Sequence, residues 1–262
     1  MRPVTLITGA SSGIGAELAH VFADNGHELV LTARREAELD ALAGAIAASG
    51  RAHPLVLPLD LVQRDAVARL AATLEAKGVE PDNVVNNAGF GLAGKAAELD
   101  RDDQLAMIDL NMRALTELSL AFADSLVRHR GGLLNVASIA GFLPGPGMAV
   151  YYASKAYVLS FSEALHEELR ARGVRVTALC PGPVATGFQA RAGLRPGGIG
   201  EGGPLALPAR RVAEIGYDGL VRGKRVVVAG LGNKLAVFFM GLVPHALLLP
   251  IVAHSMRRAG RL

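Results

Sequence analysis

A doubly wound parallel α/β sheet in a single domain is the fold class this sequence predicts, on three observations. Short β-branched runs alternate with longer helical patterns over most of the 262 residues, the order that builds a parallel sheet with helices on both faces. The strand runs are apolar almost throughout, as strands covered on both sides require. A glycine-rich stretch, "TGASSGIG" at residues 8 to 15, separates the first strand from the first helix.

The first strand is "PVTLIT", and Gly9, Gly13 and Gly15 then open the helical pattern "IGAELAHVFADNG". Glycines let the backbone turn tightly and approach a pyrophosphate at a helix N-terminus, where free N–H groups and the helix dipole favour anions. Ser11, Ser12 and Ile14 complete that loop. "GASSG" also fits Gly-x-Ser-x-Gly, the nucleophile elbow of serine hydrolases. The elbow takes part of its oxyanion hole from an earlier strand, and this loop ends the first one. A phosphate cradle is therefore expected, with no nucleophile at Ser11. Its Gly-x-x-x-Gly-x-Gly spacing departs from the usual Gly-x-Gly-x-x-Gly of dinucleotide folds.

The second strand, "HELVLTA", runs into "TARRE". NAD-binding folds usually carry an acid about twenty residues past the glycines for the ribose hydroxyls, whereas an Arg accommodates a 2′-phosphate. Ala33 stands at the acid's place, followed by Arg34 and Arg35, so NADP(H) is the expected cofactor. Strands three to seven are read in "HPLVLPL", "DNVVNNA", "GLLNVAS", "VRVTALC" and "KRVVVAG". After the third, Asp60 either touches the cofactor or caps the next helix. In "YYASKAY", Tyr151 and Tyr152 lie four and three residues before Lys155, so both are its helical neighbours.

Composition narrows the function further. The single cysteine, Cys180, excludes an internal disulfide and fits a reducing compartment. The chain enters a strand within a few residues, leaving no room for a signal peptide, so a cytoplasmic location is expected. A net charge of +3 with no tryptophan and no basic run among aromatics argues against nucleic acid. "HEELR" lacks the second histidine of a zinc helix, and no metal is expected.

The chain resembles the short-chain dehydrogenase/reductase family from about residue 3 to residue 230. Six motifs in order carry the resemblance: the Thr-Gly-x-x-x-Gly-x-Gly loop, "NNAG" at 86 to 89, Asn111, Ser138, Tyr151 with Lys155, and Pro181-Gly182. The resemblance explains the glycine spacing and selects Tyr151 over Tyr152. It implies a catalytic set of Asn111, Ser138, Tyr151 and Lys155. Tyr151 exchanges a proton with the substrate, and Asn111 holds a water that links Lys155 to solvent. Lys155, with the oxidised nicotinamide, is expected to lower the phenol's pKa. Ser138 is placed to donate a hydrogen bond to the substrate oxygen. The resemblance also assigns Asp60, Leu61, Asn87, Ala88, Gly89, Pro181, Gly182, Val184 and Thr186 to the cofactor, with Tyr151 and Lys155 touching it as well. It implies a homodimer or homotetramer built on long helices around residues 101 to 129 and 151 to 171. Some members carry a basic residue just before the middle glycine, where this chain has Ser12.

The expected activity is NADP(H)-dependent interconversion of a carbonyl and an alcohol by hydride transfer. A protein that senses NADP(H) without turnover is the alternative, which the intact Asn, Ser, Tyr and Lys set opposes. The body of the domain is placed at 1 to 232, with a Gly- and Pro-rich lid at 187 to 208. Residues 233 to 262 form an apolar, then basic, helical extension. That tail has three readings: a membrane span, a pocket wall or interface, or a broken amphipathic segment making peripheral membrane contact through residues 235 to 258. Pro244 and Pro250 disfavour a straight span. Both other readings put an apolar entrance near the lid and predict a lipophilic ketone, aldehyde or 3-oxoacyl substrate.

Overall fold

Seven parallel strands form one sheet in the order β3-β2-β1-β4-β5-β6-β7. The computed structural model describes residues 1–188, 192–193 and 205–258. The strands are β1 (Arg2–Thr8), β2 (Leu29–Ala33), β3 (Leu55–Pro58), β4 (Val79–Asn86), β5 (Gly132–Val136), β6 (Arg175–Cys180) and β7 (Val226–Val228). Every sequence-predicted strand is present, and the Rossmann-like reading holds.

Adjacent strand residues serve opposite faces, as the two-residue period dictates. Ile7, Leu31, Val85, Leu134 and Leu179 pack under one helical layer. Leu6, Val30, Val84, Leu133 and Val176 pack under the other. The first layer holds α1 (Gly13–Asp24), α2 (Glu36–Ala48) and α8 (Ala209–Val221). The second holds α3 (Ala66–Ala76), α5 (Leu115–Ala121), α6 (Ala123–His129) and α7 (Ala149–Arg170).

The strand order reverses between β1 and β4, so their C-terminal ends flank a crevice, the place where open α/β sheets bind ligands. The predicted helix at 101 to 129 is broken. After α4 (Arg101–Ile108) comes a π-helical turn (Asp109–Ala114), then α5 and α6. Wider turns of this kind recur at functional sites.

The tail folds as two helices, α9 (Leu231–Leu242) and α10 (His245–Arg258), with the chain extended at Val243 between them. Pro244 separates them, whereas Pro250 lies inside α10. No described helix is long and apolar enough to cross a membrane. Most of the segment read as a lid lies outside the described residues. Its base is tied down, since Val184 and Leu207 form a parallel bridge.

Candidate active site

The glycine loop is fastened across the crevice by side chains of the neighbouring strand. Asn87 Nδ2 donates to the carbonyls of Thr8 and Gly9 at 3.0 and 3.1 Å. Thr8 Oγ1 accepts from the backbone N–H groups of Asn87 and Ala88, both at 3.0 Å. Gly9 and Gly13 have φ of 64° and 59°, the region that disfavours a side chain. A Cβ on Gly15 would stand 2.3 Å from Gly9 O, so only glycine lets α1 start this close to the loop. Ser12 occupies the N-cap of α1 without a side-chain cap bond. Its hydroxyl accepts instead from Arg35 Nη2 at 3.0 Å.

Arg35 also donates to Ser11 Oγ at 3.0 Å and pairs with Glu38 at 3.3 Å. A guanidinium cannot take a proton from Ser11, which removes the hydrolase reading on chemical grounds. Asp60 Oδ1 accepts from Val62 N at 3.1 Å. Asp65, not Asp60, stands at the N-cap of α3. Arg113, on the π-turn, donates to Val62 O at 2.7 Å while Asp109 and Glu117 hold it at 2.7 and 3.1 Å. It was not foreseen from the sequence, because its partner lies 51 residues away.

Tyr151, Ser138 and Lys155 meet beyond the glycine loop. Ser138 Oγ accepts from Ala140 N at 3.1 Å, donates to Pro181 O at 3.5 Å and lies near enough to the Tyr151 phenol to favour its ionised form. Lys155 Nζ stands 5.9 Å from the Tyr151 ring centre and donates to Val136 O at 2.8 Å. Tyr152 lines the same cleft, its ring centre 6.0 Å from that of Tyr151 and its face against Gly145, where a Cβ would stand 2.2 Å from it.

Burial pushes the Tyr151 phenol up to about 12, opposed by Ser138 and reinforced by Tyr152. Burial likewise lowers Lys155 to about 8.

Asn111 is buried behind Gly89 on the π-turn. Its Nδ2 donates to Phe90 O and Ser154 Oγ, both at 3.0 Å, and its Oδ1 accepts from Phe90 N at 3.1 Å. The side chain thus fastens the loop after β4 to α7.

The residues match the family model for short chain dehydrogenases over 3–195. The chain belongs to the short-chain dehydrogenase/reductase family. It is 41% identical over 191 residues to sulfoacetaldehyde reductase of Chromohalobacter salexigens, covering 72% of this chain and 75% of that one. Its fold is similar to a short-chain dehydrogenase from Sphingobium yanoikuyae in complex with NADPH, with TM-score 0.79, 34% identity, and coverage of 92% and 94%. It is also similar to a Burkholderia phymatum member in complex with NAD, with TM-score 0.79, 28% identity, and coverage of 90% and 92%. The protein is an NAD(P)-dependent oxidoreductase acting on CH–OH and C=O groups.

In this dehydrogenase/reductase one cleft of about 1310 Å³ gathers most of the predicted residues. Gly9, Ser11, Ser12, Gly13 and Ile14 line it, as do Arg34, Arg35, Asp60 and Leu61. Asn87, Ala88, Gly89, Pro181, Gly182, Val184 and Thr186 do so too, with Ser138, Tyr151 and Lys155. Gly15 and Asn111 do not: the first packs behind the loop and the second behind Gly89. The donor set, the space left by missing Cβ atoms and the uncapped start of α1 fit a pyridine dinucleotide.

The other end of the same cleft is apolar. Leu92, Leu143, Met148 and Phe188 line it, and the C-terminal helices add Met240, Ile251, Val252 and Met256. The tail's apolar run pointed to a wall of this kind, but nothing in it singled out these four residues.

Proposed function

We propose that the enzyme uses NADP(H) to interconvert a lipophilic ketone, aldehyde or 3-oxoacyl compound and its alcohol. One observation carries this reading. A single cleft runs from the Arg34–Arg35 rim, past Ser138 and Tyr151, to the apolar wall formed with α9 and α10.

At the rim, Arg34 and Arg35 offer charge-assisted hydrogen bonds to a 2′-phosphate. Arg35 supplies in space the second cation that the sequence lacks at Ser12, because its guanidinium lies on the Ser12 hydroxyl. Asp60 and Leu61 border the adenine side, and Arg113 steadies them through Val62.

The nicotinamide, when bound, supplies or accepts the hydride. Ser138 then donates a hydrogen bond to the substrate oxygen, and Tyr151 delivers the proton that completes the alcohol. A phenol held near 12 is fully protonated at neutral pH, which suits proton donation in reduction. Lys155 keeps positive charge beside the phenol as its proton leaves and favours the resulting phenolate. Asn111 keeps the loop after β4 against α7 and so fixes the floor behind Gly89. The outer faces of α4 and α5, where Leu105, Ile108 and Leu120 are exposed, are the surface for a homodimer or homotetramer.

Initial rates with NADPH and NADH across short and long ketones, aldehydes and 3-oxoacyl thioesters test the proposal. Preference for NADPH and for long chains is expected. Preference for NADH, or equal rates at every length, refutes the corresponding half.

A further inference from the structure

From Gly219 to the end of the chain the sequence has no Asp or Glu but seven Lys or Arg, four of them at 234, 257, 258 and 261. The same region carries most of the exposed apolar surface. Of the twelve large hydrophobic side chains exposed among the described residues, seven lie on α9 and α10. On α9 they are Leu231, Leu235, Phe238, Phe239 and Leu242, a spacing that puts them on one helical face. Their exposure ranges from 51% at Leu235 to 73% at Leu231. On α10, Leu247 and Ile251 are exposed as well.

A concentration of this kind marks a contact surface, and charge selects its occupant. A second copy of the face would bring the exposed Lys234 and Arg257 against their own kind, with no acid in the segment to pair them. An anionic lipid surface attracts those cations and receives the leucines and phenylalanines together. The helices have 12 and 14 residues, lengths that suit lying in the interface. Ile251 joins this surface to the cleft, being both exposed and part of the apolar wall.

We propose that α9 and α10 dock the enzyme on an anionic membrane surface, with the substrate mouth at the lipid boundary. The docking stands on exposure and charge; delivery of substrate from lipid rests on the lipophilic-substrate reading above.

Flotation of the full chain with phosphatidylcholine vesicles, and with vesicles also containing phosphatidylglycerol, tests it. Binding to the anionic vesicles is expected, weakened by salt and on the order of tenfold weaker on the neutral ones. The Phe238→Ser/Phe239→Ser variant should lose that binding while its melting temperature and its reduction of a water-soluble ketone stay as in the wild type. Failure of the wild type to float with anionic vesicles overturns the proposal. So does a wild-type dimer that this variant dissociates, since a second copy then covers the face. Flotation with a flat chain-length profile leaves docking intact and removes the lipophilic substrate; the converse result removes docking alone.

Discussion

At one end of the cleft the walls present polar groups fixed by side-chain hydrogen bonds, and at the other they present apolar side chains. Asn87, Thr8, Arg35 and Arg113 fix the cofactor end through named donors and acceptors. Met148, Phe188, Met240, Val252 and Met256 form the other end with methyl, thioether and ring surfaces. Holding a pyrophosphate and a reacting carbonyl demands fixed geometry, because a misplaced donor loses its transition-state contact. Excluding water around an alkyl chain demands only apolar surface of adequate volume. Hydrogen-bonded positions should therefore be intolerant of change, and the apolar positions adjustable.

The largest break falls where chemistry and hydrogen bonding coincide. Tyr151→Phe removes the proton donor and should lower kcat by about 10²- to 10⁴-fold, the usual worth of general acid catalysis. NADPH affinity, measured by nicotinamide fluorescence, should change little. Tyr152→Phe, whose ring packs at Gly145, should stay within severalfold of the wild type. The reverse ranking would reassign the acid.

At the rim, replacing Arg34 and Arg35 together by Ala should weaken NADPH about ten- to a hundredfold, the scale of one or two charge-assisted hydrogen bonds. NADH binding should hardly move. Equal losses for both cofactors would mean that the arginines support the loop and do not read the phosphate.

The pH dependence follows from two opposite shifts. Lys155, lowered to about 8, loses its charge above that pH, while Tyr151, raised to about 12, keeps its proton. Reduction should be level through neutrality and decline above pH about 8 as Lys155 deprotonates. Alcohol oxidation needs the phenolate and should rise with pH through the alkaline range. Reduction that is unchanged well above the lysine's value would show that its charge is not needed.

The smallest effects separate clearance from propensity. Gly15→Ala puts a Cβ 2.3 Å from Gly9 O and should weaken NADPH binding and lower Tm. Gly44→Ala on α2 meets nothing within 4 Å and should add about 0.5–1 kcal/mol, the ordinary Gly-to-Ala gain inside a helix. Similar Tm changes in the two variants would contradict the tight loop packing.

The contrast between the two ends also governs what could be read from the chain. The strands were legible as short β-branched apolar runs, although β4 also takes in the polar "EPDN" ahead of its Val84–Val85 pair, and the glycine loop was legible because its three glycines mark backbone approach. The π-turn was hidden: "DLNMRA" reads as ordinary helix, and Asn111 is held by Phe90 and Ser154 from distant segments. The hold of Arg35 on Ser11 and Ser12 bridges residues more than twenty positions apart, beyond any local pattern. The desolvation of the Tyr151 phenol was not legible either, because the assembled walls set it. At the apolar end, the tail's hydrophobicity suggested a wall without saying which side chains face inward.

The measurement that bears most directly on the two-ended cleft is kcat/KM for NADPH-dependent reduction of straight-chain 2-alkanones of increasing length. Each methylene buried against Met240, Val252 and Met256 gains at most about 0.8 kcal/mol, or roughly fourfold in kcat/KM. The account predicts a steady rise with length until the cleft is filled, and a shallower slope in Met256→Ala. A profile that is flat from the shortest ketone onward would contradict it.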